Sequence, residues 1–351
     1  MRNFALLAFT LVLLQAQPPP PNDPKAWYAR GRHFSELSVQ AFEQLLKTAP
    51  ESGYVLALLG DVKAKEHQYT AALYAYNEAA KRTPRLRGVH SSIADVYVAL
   101  GKPDEAGAAE TAEQKLGPPD CVIEKLHCDF KAGRFDAVVK AVKLRKDPVS
   151  LYWLSRAYNE LAVEAFSELG HLPESSELHQ VKAQMLRDQG QFREAAEEWR
   201  AVLRLSPEDR KARHELAAAV YLSQDFKNTL PELHEFLKAD PNTDDLNFFV
   251  GDSLLQTEQV QEAVPYLEAA LKLNPKLLPA HASLGLCYGR LNEMPKAIPH
   301  LKAALELDRD GSLHYQLARA YQATGQPALA KTMMDQYQKL HKPAAATDPA
   351  Q

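Results

Sequence analysis

Cysteine is scarce in this chain of 351 residues, with three in all, so a framework of disulfides cannot be what holds it together. Neither sign of charge dominates: 41 lysines and arginines stand against 45 aspartates and glutamates, a formal net charge of −4. A protein that lives by neutralising phosphates carries a basic surplus or a basic stripe, and the lack of both argues against a nucleic-acid partner. No apolar run reaches the roughly 20 residues that a membrane-spanning helix needs. The twelve histidines are scattered singly, with no His-Glu-x-x-His helix and no pair four apart to grip a metal. No glycine-rich loop follows a strand, because no convincing strand is present, and no serine sits at a strand–helix elbow. Paired acids such as Asp244 and Asp245 fall near helix starts, where they favour the helix dipole. The expectation is a non-enzymatic protein with no catalytic residues, no metal site and no cofactor.

What is present begins with an export-like N-terminus. Arg2 supplies a positive charge, Phe4 to Leu14 form a short apolar core, and Ala16 offers a small residue for cleavage. Residues 1–16 therefore read as a signal peptide, with an uncleaved anchor as the alternative. No cysteine follows to accept a lipid. Gln17 to Pro24 ("QPPPPNDP") cannot continue a helix and reads as a proline-rich linker. The localisation this implies is periplasmic or secreted.

Beyond the linker, 46% apolar residues suffice for a continuous core, and prolines reveal how it is organised. Pro50, Pro84 and Pro118 are 34 residues apart, and so are Pro207, Pro241 and Pro275. Between them one order recurs. In residues 281–308, Leu284, Gly285 and Tyr288 mark a first helix, Asn292 and Glu293 a turn, and Ala297, Leu301 and Ala304 a second helix. Gly285 and Ala297 are small enough for the axes to approach while larger neighbours fill the groove; Gly289 reads as a second packing notch of the same kind. Further copies run through Leu59-Gly60, Ala72, Tyr76 and Ala79; Ala183, Gly190, Phe192, Ala195 and Trp199; Leu216-Ala217, Phe226, Leu233 and Phe236; Gly251, Ala263, Leu267 and Ala270; and Leu317-Ala318, Tyr321, Gly325, Ala330 and Met334. Each spacing proline ends a second helix, since it lacks the N–H that a helix interior requires.

A 34-residue helix–turn–helix period with these residues resembles the tetratricopeptide repeat family, over roughly residues 30 to 342. Tryptophan is missing from its usual place, and several copies carry leucine for the second-helix aromatic. The resemblance implies an all-α fold, a right-handed α-solenoid of stacked antiparallel helix pairs. The expected organisation is an N-terminal array over 25–118, an irregular joint over 119–173, a C-terminal array over 174–342 and a disordered tail over 343–351.

The joint is where the period fails, because Pro118 and Pro207 are 89 residues apart. A short repeat, 121–131 and "RFDAVVKAVKLRK", precedes one long amphipathic helix of about 20 residues. Its stripe of Leu151, Leu154, Tyr158, Leu161, Ala165 and Leu169 holds phase throughout, as though an interhelix turn were deleted. The joint either redirects the superhelix and makes a special surface, or is drift in an array that needs only neighbour contacts. Within it lie Cys121 and Cys128, beside His127. "CVIEKLHC" is not the C-x-x-C-H of haem attachment, and zinc would need ligands that His127 alone does not supply. On one regular helix the two cysteines would be about 10.5 Å apart, beyond the ~7 Å a disulfide tolerates. A bond therefore requires Cys121 in the entry loop; two buried free thiols are the alternative. Cys287 reads as core.

In this family the first helices line the concave wall where partners, often extended peptides or helices, are held. Removing packing positions leaves Asp61, Asp95, Tyr152, Arg156, Gln184, Arg187, His214, Tyr221, Phe248, Asp252, Tyr315 and Arg319 as candidates for a partner-binding groove. The leading functional expectation is an exported scaffold binding a protein or peptide partner, for envelope assembly or secretion. The alternative is a carrier or sensor of a small ligand, such as a glycan or cell-wall fragment, with Tyr152, Tyr221 and Phe248 as stacking surfaces.

Overall fold

The computed structural model describes residues 20–142 and 145–341, and in these it is all helix and connecting turns. The expected signal peptide, the first three residues of the linker and the tail lie outside the described residues. The described residues divide between Val181 and Lys182 into two compact units.

The first unit opens with α1 (Pro24–Thr48). Pro24 suits the first helical position, where no N–H is needed, and Asp23 caps the helix by accepting from the Ala26 amide. There follow α2 (Gly53–Lys65) and α3 (Tyr69–Arg82), α4 (Val89–Ala99) and α5 (Pro103–Gln114), the short α6 (Lys125–Lys131) and α7 (Phe135–Val142), and then α8 (Pro148–Gly170), capped by Asp147. The pairs α2/α3 and α4/α5 are the expected repeats. The long helix is one uninterrupted element, as its stripe requires. Its partner, however, is α1, a 25-residue helix at the other end of the unit. Ser38 donates to the Ser155 carbonyl and Ser155 to the Ser38 carbonyl, Phe34 stacks on Tyr158, and Gly31 lies against the Phe166 ring. Residue numbers fall along α1 as they rise along α8, so the two helices run antiparallel. Helix α8 also meets α2, through Tyr54 and Tyr152, whose ring centroids are 5.5 Å apart. Helix α8 thus closes the unit back onto its own beginning. Residues expected to belong to separate N-terminal array and joint segments share one core, in which Leu45, Tyr76 and Ile93 join Val138, Leu151 and Trp153.

The short repeat is held by polar ties. Arg87 donates from Nε to Glu124 at 2.5 Å and from a terminal nitrogen to the Gly117 carbonyl at 2.8 Å, pinning the loop before α6. Cys121 lies in that loop, before the helix starts, and is bonded to Cys128 with a Cα–Cα distance of 5.6 Å. Asp120 accepts from the Val122 and Ile123 amides and shapes the turn. Asp129 is buried and takes Lys125 at 2.6 Å and Arg134 at 2.7 Å. These two donors hold its carboxyl below the usual carboxylate range.

In the second unit, α9 (Ser176–Asp188) begins before the boundary and leads into α10 (Phe192–Leu205); the repeats then run α11 (Arg210–Leu222) and α12 (Phe226–Ala239), α13 (Asp244–Gln256) and α14 (Val260–Leu273), α15 (Leu278–Arg290) and α16 (Met294–Ala303), and α17 (Ser312–Ala323) and α18 (Pro327–His341). One core cluster from Ala183 to Ala330 runs through these helices. Pro231, Pro265 and Pro299, again 34 apart, lie inside second helices rather than at their ends. All three are exposed, so the carbonyl each leaves without a helical partner faces water. Cys287 is buried, and burial pushes its thiol up to about 12. The two α15 glycines differ from the sequence expectation. A Cβ on Gly285 would lie 2.8 Å from Leu301, but nothing stands within 4 Å of one on Gly289. Only Gly285 is a packing notch.

Gly285→Ala is therefore expected to destabilise the second unit by about 1–3 kcal/mol through overpacking. Gly289→Ala should stabilise it by about 0.5–1 kcal/mol through helix propensity. Chemical denaturation of the two variants beside the parent checks both signs. For Asp129 the depressed folded-state pKa means stability that is present above the ordinary aspartate value of about 3.9 and is lost as pH falls through the folded value. Asp129→Asn should lower the melting temperature at pH 7, and its deficit against the parent should narrow by pH 3.

Candidate functional site

Closure of the first unit leaves a cavity of about 660 Å³ at its centre, within the range of about 300–1,000 Å³ typical of small-molecule sites. Helices α1, α2, α4 and α8 supply most of its wall, with Tyr69 and Tyr76 from α3. Three of the groove candidates meet there. Asp61 accepts from the Tyr76 hydroxyl at 2.8 Å and lies 3.7 Å from the Arg156 guanidinium. Asp95 is exposed on the wall. Arg156 donates to the Tyr152 hydroxyl at 2.8 Å and lies over the Phe130 ring, 5.0 Å from its centroid. Burial works against the Arg156 charge, but Tyr152 and Asp61 outweigh it and hold its pKa above the usual value. Burial and the neighbouring Asp61 together push the Tyr76 hydroxyl well up.

Tyr152 itself is 1% exposed. It is a core residue and supports Arg156 from beneath, which corrects its placement as a groove residue. Its ring packs on Tyr54 and Trp153. The buried environment that makes it core also explains the misreading. It sits on the same helical face as Arg156, one turn earlier, and a stripe on one helix does not tell how deep each turn lies.

The remaining candidates lie in the second unit. Arg187 pairs with Glu215 at 2.8 Å, and His214 with Asp245. Both bonds tie one first helix to the next. Gln184 is half-buried on α9, while Tyr315 and Arg319 are exposed on α17. Two assignments need correction. Phe248 and Asp252 are buried, at 8% and 6% exposure. Asp252 accepts from Ser283 at 2.6 Å and from the Tyr221 hydroxyl at 3.0 Å, so it is an internal link between α11, α13 and α15. Tyr221 stacks on Phe249 with centroids 4.5 Å apart, and burial followed by Asp252 pushes its hydroxyl up. With Tyr152 and Phe248 in the core and the Tyr221 ring covered by Phe249, the three rings offer no common stacking platform for a glycan.

Among the described residues no group of three or more His, Cys, Asp or Glu is placed to hold a metal ion, and no helix is long and apolar enough to cross a membrane. Residues 181–243, 226–277, 250–312 and 313–342 each match a family described as tetratricopeptide repeat. Residues 181–342 are tetratricopeptide repeats. The repeats are thus of the kind that stack into protein-interaction scaffolds with extended binding faces. No curated protein matches the chain. Among solved structures it is similar to MamA (residues 41 to the end) from Desulfovibrio magneticus RS-1, at 22% identity over 48% of this chain and 96% of that one, with a TM-score of 0.42. It is also similar to YrrB, described as a TPR protein with an unusual peptide-binding site, at 21% identity over 51% of this chain and 91% of that one, with a TM-score of 0.40.

Sequence reasoning missed the residues that α1 and α8 bring to the cavity besides Arg156: Ser35, Ser38, Val39, Phe42, Ser155, Asn159 and Glu160. The signal was available in α1, where Phe34, Ser38, Ala41, Phe42 and Leu45 recur at helical spacing, but nothing in that spacing names α8 as the partner.

Arg156→Met should destabilise the first unit by about 1–2 kcal/mol, because it takes the cation from the part-buried Asp61 carboxylate and the hydrogen bond from Tyr152. The double variant with Asp61→Asn should recover part of that loss. Denaturation midpoints of the two single variants and the double, read as a cycle, test whether the pair acts as a unit.

Proposed function

We propose that this protein is an exported, non-enzymatic scaffold that holds a protein or peptide partner along the first-helix face of its second unit, in envelope assembly or secretion. The observation that carries the reading is the way α11, α13, α15 and α17 pack. Each touches its own second helix and its neighbours in the stack; Arg319 is left exposed and Tyr315 partly so, its ring beside Tyr337 of α18, while Gln184 is half-buried on α9. Aromatic and arginine side chains on such a face are the kind that anchor interfaces. Export is supported by the Arg2 to Ala16 segment and by the bond between Cys121 and Cys128, since disulfides persist in oxidising compartments.

A photo-reactive residue at position 315 or 319 should cross-link one and the same protein from envelope fractions. The same group at position 331, exposed on α18, should not. Identical products from all three positions would count against a partner-specific face. Intact mass of the exported protein should correspond to a chain starting at Gln17 with two hydrogens missing for the disulfide.

A further inference from the structure

The central cavity of the first unit is not part of the proposed partner face, and its lining has a definite chemistry. Five charged side chains line it: Asp61, Asp95 and Glu160 against Lys65 and Arg156. Asp61 and Arg156 offset each other's charge across 3.7 Å. Lys65 turns its ammonium to the Asn159 amide oxygen at 3.1 Å, not to a carboxylate. Glu160 has only a 3.4 Å contact from the Asn159 amide nitrogen, and Asp95 has no hydrogen bond or ion pair among the described residues. Two carboxylates thus face the cavity against one cation, Lys65, that is already engaged. The lining is net negative by one charge.

The rest of the wall is mixed, with Ser35, Ser38, Ser92, Ser155 and Asn159 set among apolar side chains, and two of the apolar ones are left largely in solvent. Val39 and Val62 line the cavity while remaining 56% and 45% exposed. They flank Phe42 and Val96 on the same wall. Apolar side chains left in solvent beside unpaired carboxylates, in a cavity of small-molecule size, match a ligand with an apolar stem and a positive head.

We infer that this cavity binds a primary ammonium carried on an unbranched methylene stem, the head meeting Asp95 and Glu160 and the stem lying against Val39, Phe42, Val62 and Val96. That chemistry has two sources, a free aliphatic amine or a lysine side chain of a polypeptide. The site is independent of the partner face: it belongs to the first unit, and either can fail without the other.

Titration calorimetry on the full chain with hexylamine, hexanol and hexanoate reads the charge preference directly. Hexylamine should bind saturably at one site per chain, hexanol at least tenfold more weakly, and hexanoate not at all. Nα-acetyl-lysine N-methylamide, run beside hexylamine, separates the sources. Tighter binding of the lysine derivative assigns the cavity to a polypeptide side chain, and tighter binding of hexylamine to a small free amine. Asp95→Asn should fold as the parent does, because the carboxylate is exposed and unpaired, and together with Glu160→Gln it should weaken hexylamine at least tenfold. No saturable binding by either amine, equal binding of hexanol, or an unchanged affinity in the double variant overturns the inference.

Discussion

A helix pair of this repeat cannot bury its apolar face alone, so every array must find something for its first and last pairs to lie against. In the first unit the solution is the antiparallel packing of α1 on α8. It joins residues 117 positions apart, as in the reciprocal bonds of Ser38 and Ser155, and it turns what would be an open stack into a closed one. The central cavity, the burial of Tyr152 and the position of Arg156 all depend on it. Without α8 packed against α2, Asp61 would be an ordinary surface carboxylate with no Arg156 beside it. The contact between Gly31 and the Phe166 ring shows how closely the two long helices approach. A Cβ on Gly31 would lie 2.4 Å from that ring.

The second unit meets the same requirement with local means. Its ties join adjacent repeats: Arg200 to Glu232 between α10 and α12, Tyr221 to Asp252, and Asp252 to Ser283. The last of these is fully buried. A carboxylate taken out of water needs its lone pairs filled, and here two hydroxyls from the neighbouring first helices fill them. The arrangement therefore fixes the register of three successive repeats, and a slip of one repeat against the next would leave Asp252 unpaired. Long-range closure and short-range ladders give the two units different folding problems. Loop-closure entropy must be overcome before the α1–α8 contact forms, whereas the second unit's contacts follow the chain order.

This difference also explains what could be read from the amino-acid order. The period of 34 announced the helix pairs because spacing prolines and small residues act locally, on the helix that contains them. Helix α8 was legible as one element because a stripe from Leu151 to Leu169 admits no turn. What α8 packs against was not legible. Phe34, Leu45, Tyr158 and Phe166 are all large apolar residues at helical spacing, and spacing specifies a face without specifying its partner. The groove candidates divide on the same line. Exposed first-helix positions such as Tyr315 and Arg319 follow from the repeat register alone. Tyr152, Phe248 and Asp252 differ from them only in depth, which is set by neighbouring helices and by partners such as Ser283 that are distant in sequence.

The joint shows why a failed period need not be drift. Helix α6 has 7 residues, a marginal length for a helix that must stand on its own packing, and the described part of α7 has 8. They are retained because His127 and Phe130 set their rings against Trp153 at 5.4 and 5.2 Å, and because Arg87, the disulfide and the Asp129 ion pairs fix the loop and turn around them. A full-length repeat here would add height between α5 and α8. The shortened one lets Phe130 reach the Arg156 guanidinium from one side while Asp61 reaches it from the other. The truncation and the closure are then two parts of one geometry, since the short repeat carries the chain from α5 to an α8 that also contacts α2. The irregular segment thus contributes α8 to the cavity wall, and α1 with the regular pairs contributes the rest.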